Sequence, residues 1–245
     1  MIPVPWAEIE ALGLGRLDGV PEGVATAIRA DSRLVGRGEL FVALNRGVDH
    51  VCEARERGAA TLVPSDQLEA LAALAGLVRS KSTARVVAVV GSTGKTSTKD
   101  ILGGLCSAAV PTVFATESQN NEIGLPLTVL RLEPDTRVLV TEMGMRGHGQ
   151  IAALCAIARP ELVVVTAVGP EHLELLGSVE EVARANAEAV AALPPGGVAV
   201  VPATAPELEP HLRRTDIRIV RCDPAIVRRE GVRWAFPLAG ETVAL

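Results

Sequence analysis

The chain has 245 residues, 48% of them hydrophobic, 22% charged and 2% aromatic. An apolar fraction near one half at this length buries a sizeable core, which excludes disordered, collagen-like, coiled-coil and disulfide-scaffold classes. With 24 basic against 29 acidic residues the formal charge is -5, so there is no basic footprint for a phosphate backbone and nucleic acid is not an expected partner.

The N-terminus, MIPVPWAEIE, lacks a basic n-region and an apolar h-region, and every apolar run is interrupted well short of a membrane span. Cys52, Cys106, Cys155 and Cys222 lie far apart with no C-x-x-C pair, so neither a zinc site nor a disulfide framework is written in their spacing. A cytoplasmic protein with no membrane span is expected. Residues 1–83 read as a small α/β unit: short apolar runs at 25–30, 40–44 (LFVAL) and 61–63 alternate with helical stretches at 51–57 and 67–79. The polar segment Ser80-Lys81-Ser82-Thr83 then precedes VVAVV at 86–90, a β-branched run suited to a buried parallel strand, and a domain boundary is expected there.

From residue 84 strand and helix alternate: VVAVV with 95–106, VLVTE at 138–142 with 150–157, LVVVTAV at 162–168 with 179–193, and VAVV at 198–201. This pattern predicts a doubly wound, mostly parallel sheet, so the α/β chain divides into an N-terminal domain (1–83) and a P-loop domain (84–245). A short β tail is expected at 232–237 and 242–245, joined by a turn at Ala239-Gly240.

The strongest chemical signal is VVAVVGSTGKTSTKD at 86–100, a buried strand running into a Gly-rich turn and then a helix. Glycines at 91 and 94 let the backbone N–H groups of Gly91, Ser92, Thr93, Gly94, Lys95, Thr96 and Ser97 approach phosphate oxygens. Lys95 would reach the terminal phosphates and the Thr96 hydroxyl would ligate Mg²⁺. Val89 stands where the G-x-x-x-x-G-K-[ST] pattern has its first Gly. Two other strand ends carry polar residues. Glu142 closes VLVT and precedes Gly144, Gly147 and Gly149, which suits a carboxylate holding Mg²⁺; the alternative is a solvated strand-end side chain. His172 follows the turn Gly169-Pro170 and reads either as a surface residue or as a metal or phosphate ligand at the same sheet edge.

Five segments, DSRLVGRGELFVAL at 31–44, GSTGKTSTKD at 91–100, ATESQNNEIGLPLTVLRL at 115–132, VTEMGMRGHGQI at 140–151 and GPEHLELLGSVEEVA at 169–183, together resemble the Mur ligases, ATP-dependent amide-forming enzymes of cell-wall synthesis. The resemblance implies ATP and Mg²⁺ as cofactors and UDP-N-acetylmuramoyl-tripeptide and D-alanyl-D-alanine as substrates. It implies phosphorylation of a substrate carboxylate and attack of an amine on the acyl phosphate. Thr96 and Glu142 would hold the bridging Mg²⁺, His172 a second one, Asn120 and Asn121 would lie near the reacting groups, and Ser32 with Arg33 would grip the UDP-sugar. It also implies a third domain without counterpart before Leu245, which a separate chain could supply.

The chain departs from the family pattern at four further places. Asn186 stands where the family has a Lys modified to a carbamate, and Ala167 where it has an Asn. Pro202-Ala203-Thr204 replaces an Asn and Asp, and the loop NRGVDH at 45–50 is shortened. An amide cannot form a carbamate, so the second Mg²⁺ is expected to be held weakly or not at all.

Overall fold

The computed structural model describes residues 1–116 and 119–223, together with the backbone of three strands beyond them. The first part consists of β1 (Val4–Pro5), α1 (Trp6–Ala11), β2 (Gly15–Asp18), β3 (Val24–Ala25), β4 (Ala27–Arg29), β5 (Glu39–Val42), α2 (Val51–Glu56), β6 (Ala60–Pro64) and α3 (Gln67–Ser80). Strands β2-β6-β5-β4 form one sheet in that order, parallel except for β2 at its edge. Helix α3 starts where the Asp66 carboxylate accepts the N–H groups of Leu68 and Glu69, and its buried stripe of Ala70, Leu71, Leu74, Ala75 and Val78 has helical spacing.

The second part is β7 (Arg85–Val90), α4 (Lys95–Ser107), β8 (Thr112–Phe114), α5 (Gly124–Val129), β9 (Val138–Glu142), α6 (Gln150–Ala158), β10 (Leu162–Val165), α7 (Leu173–Leu176), α8 (Val179–Ala191), β11 (Val198–Pro202) and β12 (Arg218–Cys222). Its sheet runs β8-β9-β7-β10-β11-β12, all parallel. From β7 the chain goes first to the edge strand β8 and back to β9 beside β7, then crosses to β10 and on through β11 to β12, so the winding reverses between β7 and β10. In open α/β sheets that reversal leaves a crevice beyond the carboxyl ends of the two strands.

Val86, Ala88, Val89 and Val90 of β7 are all buried, as a central strand covered on both faces requires. Helix α3 packs against α5 and α6, so one apolar cluster runs from Leu40 and Leu71 through Leu125 to Leu139 and Ile151. Two polar ties accompany it. Ile2 N donates to Leu132 O at 2.6 Å, and the buried Arg79 Nε donates to Ala158 O at 2.8 Å. Burial pushes the Arg79 guanidinium below its ordinary pKa.

Strands β2, β8 and β12 and helix α5 are additions to the elements expected from the sequence, and each is short or edge-placed with a mixed pattern. The apolar run at 162–168 forms a strand only to Val165, because the Thr166 hydroxyl turns to Thr93 O at 2.6 Å and lies 3.1 Å from Val90 O. The expected β tail is present as β13 (Arg228–Glu230), β14 (Arg233–Leu238) and β15 (Glu241–Ala244), an antiparallel sheet. The Ala239-Gly240 turn, Val232 and Leu245 lie outside the described residues, as do residues 117 and 118 of the ATESQNNEIG segment. Among the described residues no helix is long and apolar enough to cross a membrane.

Candidate functional site

The loop after β7 is held by the loop after β10. Ser92 N donates to Ala167 O at 2.9 Å, while Ser92 Oγ donates to Gly169 O and accepts from Gly169 N, each at 3.1 Å. Gly91 has φ 127°, and a Cβ there would lie 2.3 Å from Thr166 Oγ1 and 2.9 Å from Ala167 O, so only glycine fits. Val89 is buried in β7 opposite Glu142 of β9. The strand runs straight through that position, so the turn is confined to residues 91–94 and needs no glycine earlier.

Gly94, at φ 82°, caps α4 without any side chain occupying the helix end, which leaves the first-turn N–H groups of Lys95, Thr96 and Ser97 pointing at an acceptor site. Thr96 is partly buried, whereas Thr93 and Ser97 are exposed. Lys95 folds back over the loop: its Nζ makes a short hydrogen bond to Gly91 O and lies 3.2 Å from both Ser92 O and Glu171 Oε1.

Glu142 is 1% exposed, and Asn120 Nδ2 donates to its Oε1 at 2.7 Å. Its other oxygen, Oε2, is buried with no hydrogen-bond partner among the described residues. A buried carboxylate oxygen without a partner is costly unless a ligand completes it, and a hard cation is the ligand whose chemistry fits. No group of three or more His, Cys, Asp and Glu side chains among the described residues could hold a metal unaided. A cation beside Glu142 would therefore need oxygen ligands other than a cluster of such side chains.

Asn121 Oδ1 accepts from Ile123 N at 3.2 Å and Gly124 N at 2.8 Å, fixing the start of α5. His172 sits at φ 49° with its Nε2 3.9 Å from Glu171 Oε1 and its Nδ1 3.6 Å from Glu174 Oε1. Lys95, Asn120, Asn121 and His172 thus line one cavity of about 280 Å³, with Glu171 and Arg146 also in its wall. The structure brings these expected residues together and seats Glu142 against one of them. Asn186 does not offer itself to a ligand. It is 1% exposed, and its Nδ2 donates back to Val182 O at 2.9 Å along α8. Glu188, two residues further along that helix, accepts from Gly149 N and Ala152 N at 2.6 and 3.0 Å and is committed to the start of α6.

Ser32 and Arg33 belong to a separate cavity of about 450 Å³, lined also by Asp31, Arg46, His50 and Glu53. Arg33 donates to Asp31 through Nε at 2.9 Å and Nη2 at 2.7 Å, and this pairing holds the Asp31 carboxyl at about 2. Ser32 Oγ donates to Glu53 Oε2 at 2.9 Å and draws the Glu53 pKa down.

Two site residues escaped the sequence reading. Glu171 had a signal, its place between Pro170 and His172 at the sheet edge. Lys99 had none beyond being one turn past Lys95: it is wholly buried, and its Nζ donates to Ala115 O at 2.8 Å beneath the segment that carries Asn120.

A family model for the Mur ligase middle domain matches residues 89–225. The UDP-N-acetylmuramoyl-tripeptide–D-alanyl-D-alanine ligase of Escherichia coli K12 is 34% identical over 218 residues, 82% of this chain and 48% of the relative. That of Mycobacterium tuberculosis H37Rv is 33% identical over 268 residues, 93% of this chain and 52% of the relative. The chain spans about half the length of the curated relatives it matches. Among solved structures, MurF ligase from Thermotoga maritima in complex with ADP superposes with a TM-score of 0.77 at 26% identity, covering 90% of this chain and 58% of that one. MurF from Acinetobacter baumannii shares the fold at a TM-score of 0.84 and 23% identity, covering 99% of this chain and 60% of that one. A family match over most of the second sheet, relatives that cover four fifths and more of the sequence, and a P-loop at the sheet's switch point lead to one conclusion: the chain belongs to the Mur ligase family.

Proposed function

We propose that the chain is the nucleotide-binding and UDP-sugar-binding portion of a cytoplasmic ATP-dependent ligase of peptidoglycan precursor synthesis. That ligase joins D-alanyl-D-alanine to UDP-N-acetylmuramoyl-tripeptide through an acyl phosphate. Residues 1–83 carry the UDP-sugar pocket and residues 84–245 the ATP site. The observation that carries this reading is Oε2 of Glu142, buried with no hydrogen-bond partner among the described residues, on a side chain held by Asn120 beside the glycine-rich loop at the switch point.

A carboxylate condenses with an amine only after its oxygen becomes a good leaving group, which transfer of the γ-phosphoryl achieves. The amides of 91–97 cradle the phosphates, and Lys95 offsets charge on the transferring group. Thr96 and Glu142 would hold Mg²⁺, which would supply neutralisation of phosphate charge. Asn120 orients Glu142, and His172 faces the same cavity. Isothermal titration with ADP and Mg²⁺, and separately with UDP-N-acetylmuramoyl-tripeptide, tests the reading. Saturable binding of each ligand supports it, and a folded chain that binds neither refutes it.

Asn186 favours a second reading, in which this chain has little ligase activity by itself. Its side chain is a buried neutral amide bonded to its own helix, so this position cannot supply the anionic oxygen that a carbamate would bring to a second Mg²⁺. Asn186→Lys with added bicarbonate is expected to raise metal-dependent ATP turnover; full activity in the unaltered chain would rule this reading out.

A further inference from the structure

The Lys95 ammonium has three N–H donors, and the structure gives it three acceptors: Gly91 O, Ser92 O and Glu171 Oε1. Two are neutral carbonyls and one is a carboxylate. The pair is shielded, with side-chain exposures of 12% for Lys95 and 23% for Glu171, so solvent and salt screen it less than a surface ion pair. Both residues line the cavity that the phosphates would enter.

From this arrangement we propose that Glu171 competes with nucleotide phosphate for Lys95, acting as an internal counter-anion that a phosphate must displace. The proposal rests on the nucleotide reading above. A phosphate oxygen can bind Lys95 only by taking the place of one of its three acceptors. The two carbonyls belong to a loop bonded to Ala167 and Gly169 and move only if that loop is dismantled. The Glu171 carboxylate turns on its own side-chain bonds, so it is the acceptor that yields. Repulsion between its charge and the arriving phosphate drives the same exchange.

The contact is built into the fold. The Ser92–Gly169 bonds fix the chain just before Glu171, and the left-handed His172 at φ 49° fixes it just after. The same carboxylate oxygen lies 3.9 Å from His172 Nε2, so the displaced side chain has a second neighbour close by.

The test is calorimetric titration of the 245-residue chain and its variants with ADP in Mg²⁺ and with pyrophosphate, each protein first shown to be folded by its thermal melt. Glu171→Gln keeps the shape and removes the charge, and is expected to bind both probes about tenfold tighter, equivalent to about 1.4 kcal/mol. Glu171→Asp shortens the reach and is expected to shift affinity in the same direction. Glu174→Gln makes the same change in net charge at a side chain 71% exposed that faces the other ring nitrogen of His172, and is expected to leave affinity unchanged. If the unaltered chain and Glu171→Gln bind alike, or Glu174→Gln gains as much, the competition is refuted while the nucleotide site stands. If neither folded protein binds ADP or pyrophosphate, the nucleotide site itself falls and the competition with it.

Discussion

At the carboxyl ends of β9, β7 and β10, hydrogen bonds from the Ser92 backbone and hydroxyl to Ala167 and Gly169 tie the loops together, and one buried carboxylate oxygen on Glu142 has no partner among the described residues. Around Asp31 the arrangement is the reverse. Arg33, Arg46 and His50 each already face a carboxylate, at 2.7, 3.4 and 3.4 Å, and all three lie largely in solvent. A ligand at the crevice completes a group that folding left incomplete. A ligand in the N-terminal pocket exchanges partners with solvent-exposed polar pairs, each of which contributes little in water. Binding at the first site should therefore hinge on single residues and at the second be spread over several.

The largest effect that would break this contrast concerns the rigid loop. Gly91→Ala is expected to destabilise the protein by about 3 kcal/mol, lowering the melting temperature by roughly 10 °C, because the new Cβ meets Thr166 and the Ala167 backbone. A melting temperature unchanged by this substitution would show that the loop adapts. Next is Lys95→Ala, expected to weaken ADP binding at least about a hundredfold, since it removes the charge-assisted donor to the phosphates. The fold should survive, and calorimetry with a parallel thermal melt checks both parts.

Smaller is Arg33→Ala, expected to weaken UDP-N-acetylmuramoyl-tripeptide binding by about fivefold, the scale of one exposed ion pair, with ADP affinity untouched. Equal loss at both sites would mean that the two cavities are coupled and would sink the boundary near residue 83. The smallest effect is in acid. The Asp31 carboxyl is lowered from 3.8 to about 2 by Arg33, so the stabilisation from this pair is complete above about pH 4 and is lost as pH falls through about 2. Carboxyl NMR shifts of Asp31 should titrate near 2 in the unaltered chain and higher in Arg33→Ala, where the backbone N–H of residue 33 still donates to the carboxylate.

The same contrast explains what the sequence made legible. The crevice is built from consecutive residues, and a β-branched strand, two glycines, Lys95 and a helix start lie within 86–100, so local chemistry announces it. Glu142 could be flagged as a strand-end acid, but its burial and its bond from Asn120 depend on a segment twenty residues away in sequence. Lys99 carries no local signal of its place and is wholly buried, because β8 and the chain at Ala115 close over that face of α4. Around Asp31 the motif D-S-R is equally a turn, and the cavity forms only when α2 brings Glu53 to Ser32. The four-stranded sheet with its antiparallel β2 edge, and the strands β8 and β12, were not legible, since short edge strands lack a long apolar run.

The account rests on two ligands reaching two separate places. Backbone amide shifts of the isotope-labelled chain, followed as ADP with Mg²⁺ is added, test this most directly. The prediction is that perturbations concentrate at residues 91–97, 120, 142 and 166–172 and leave 31–53 unchanged, with the reverse pattern when UDP-N-acetylmuramoyl-tripeptide is added. Perturbation of 31–53 by ADP, with 91–97 silent, would contradict it.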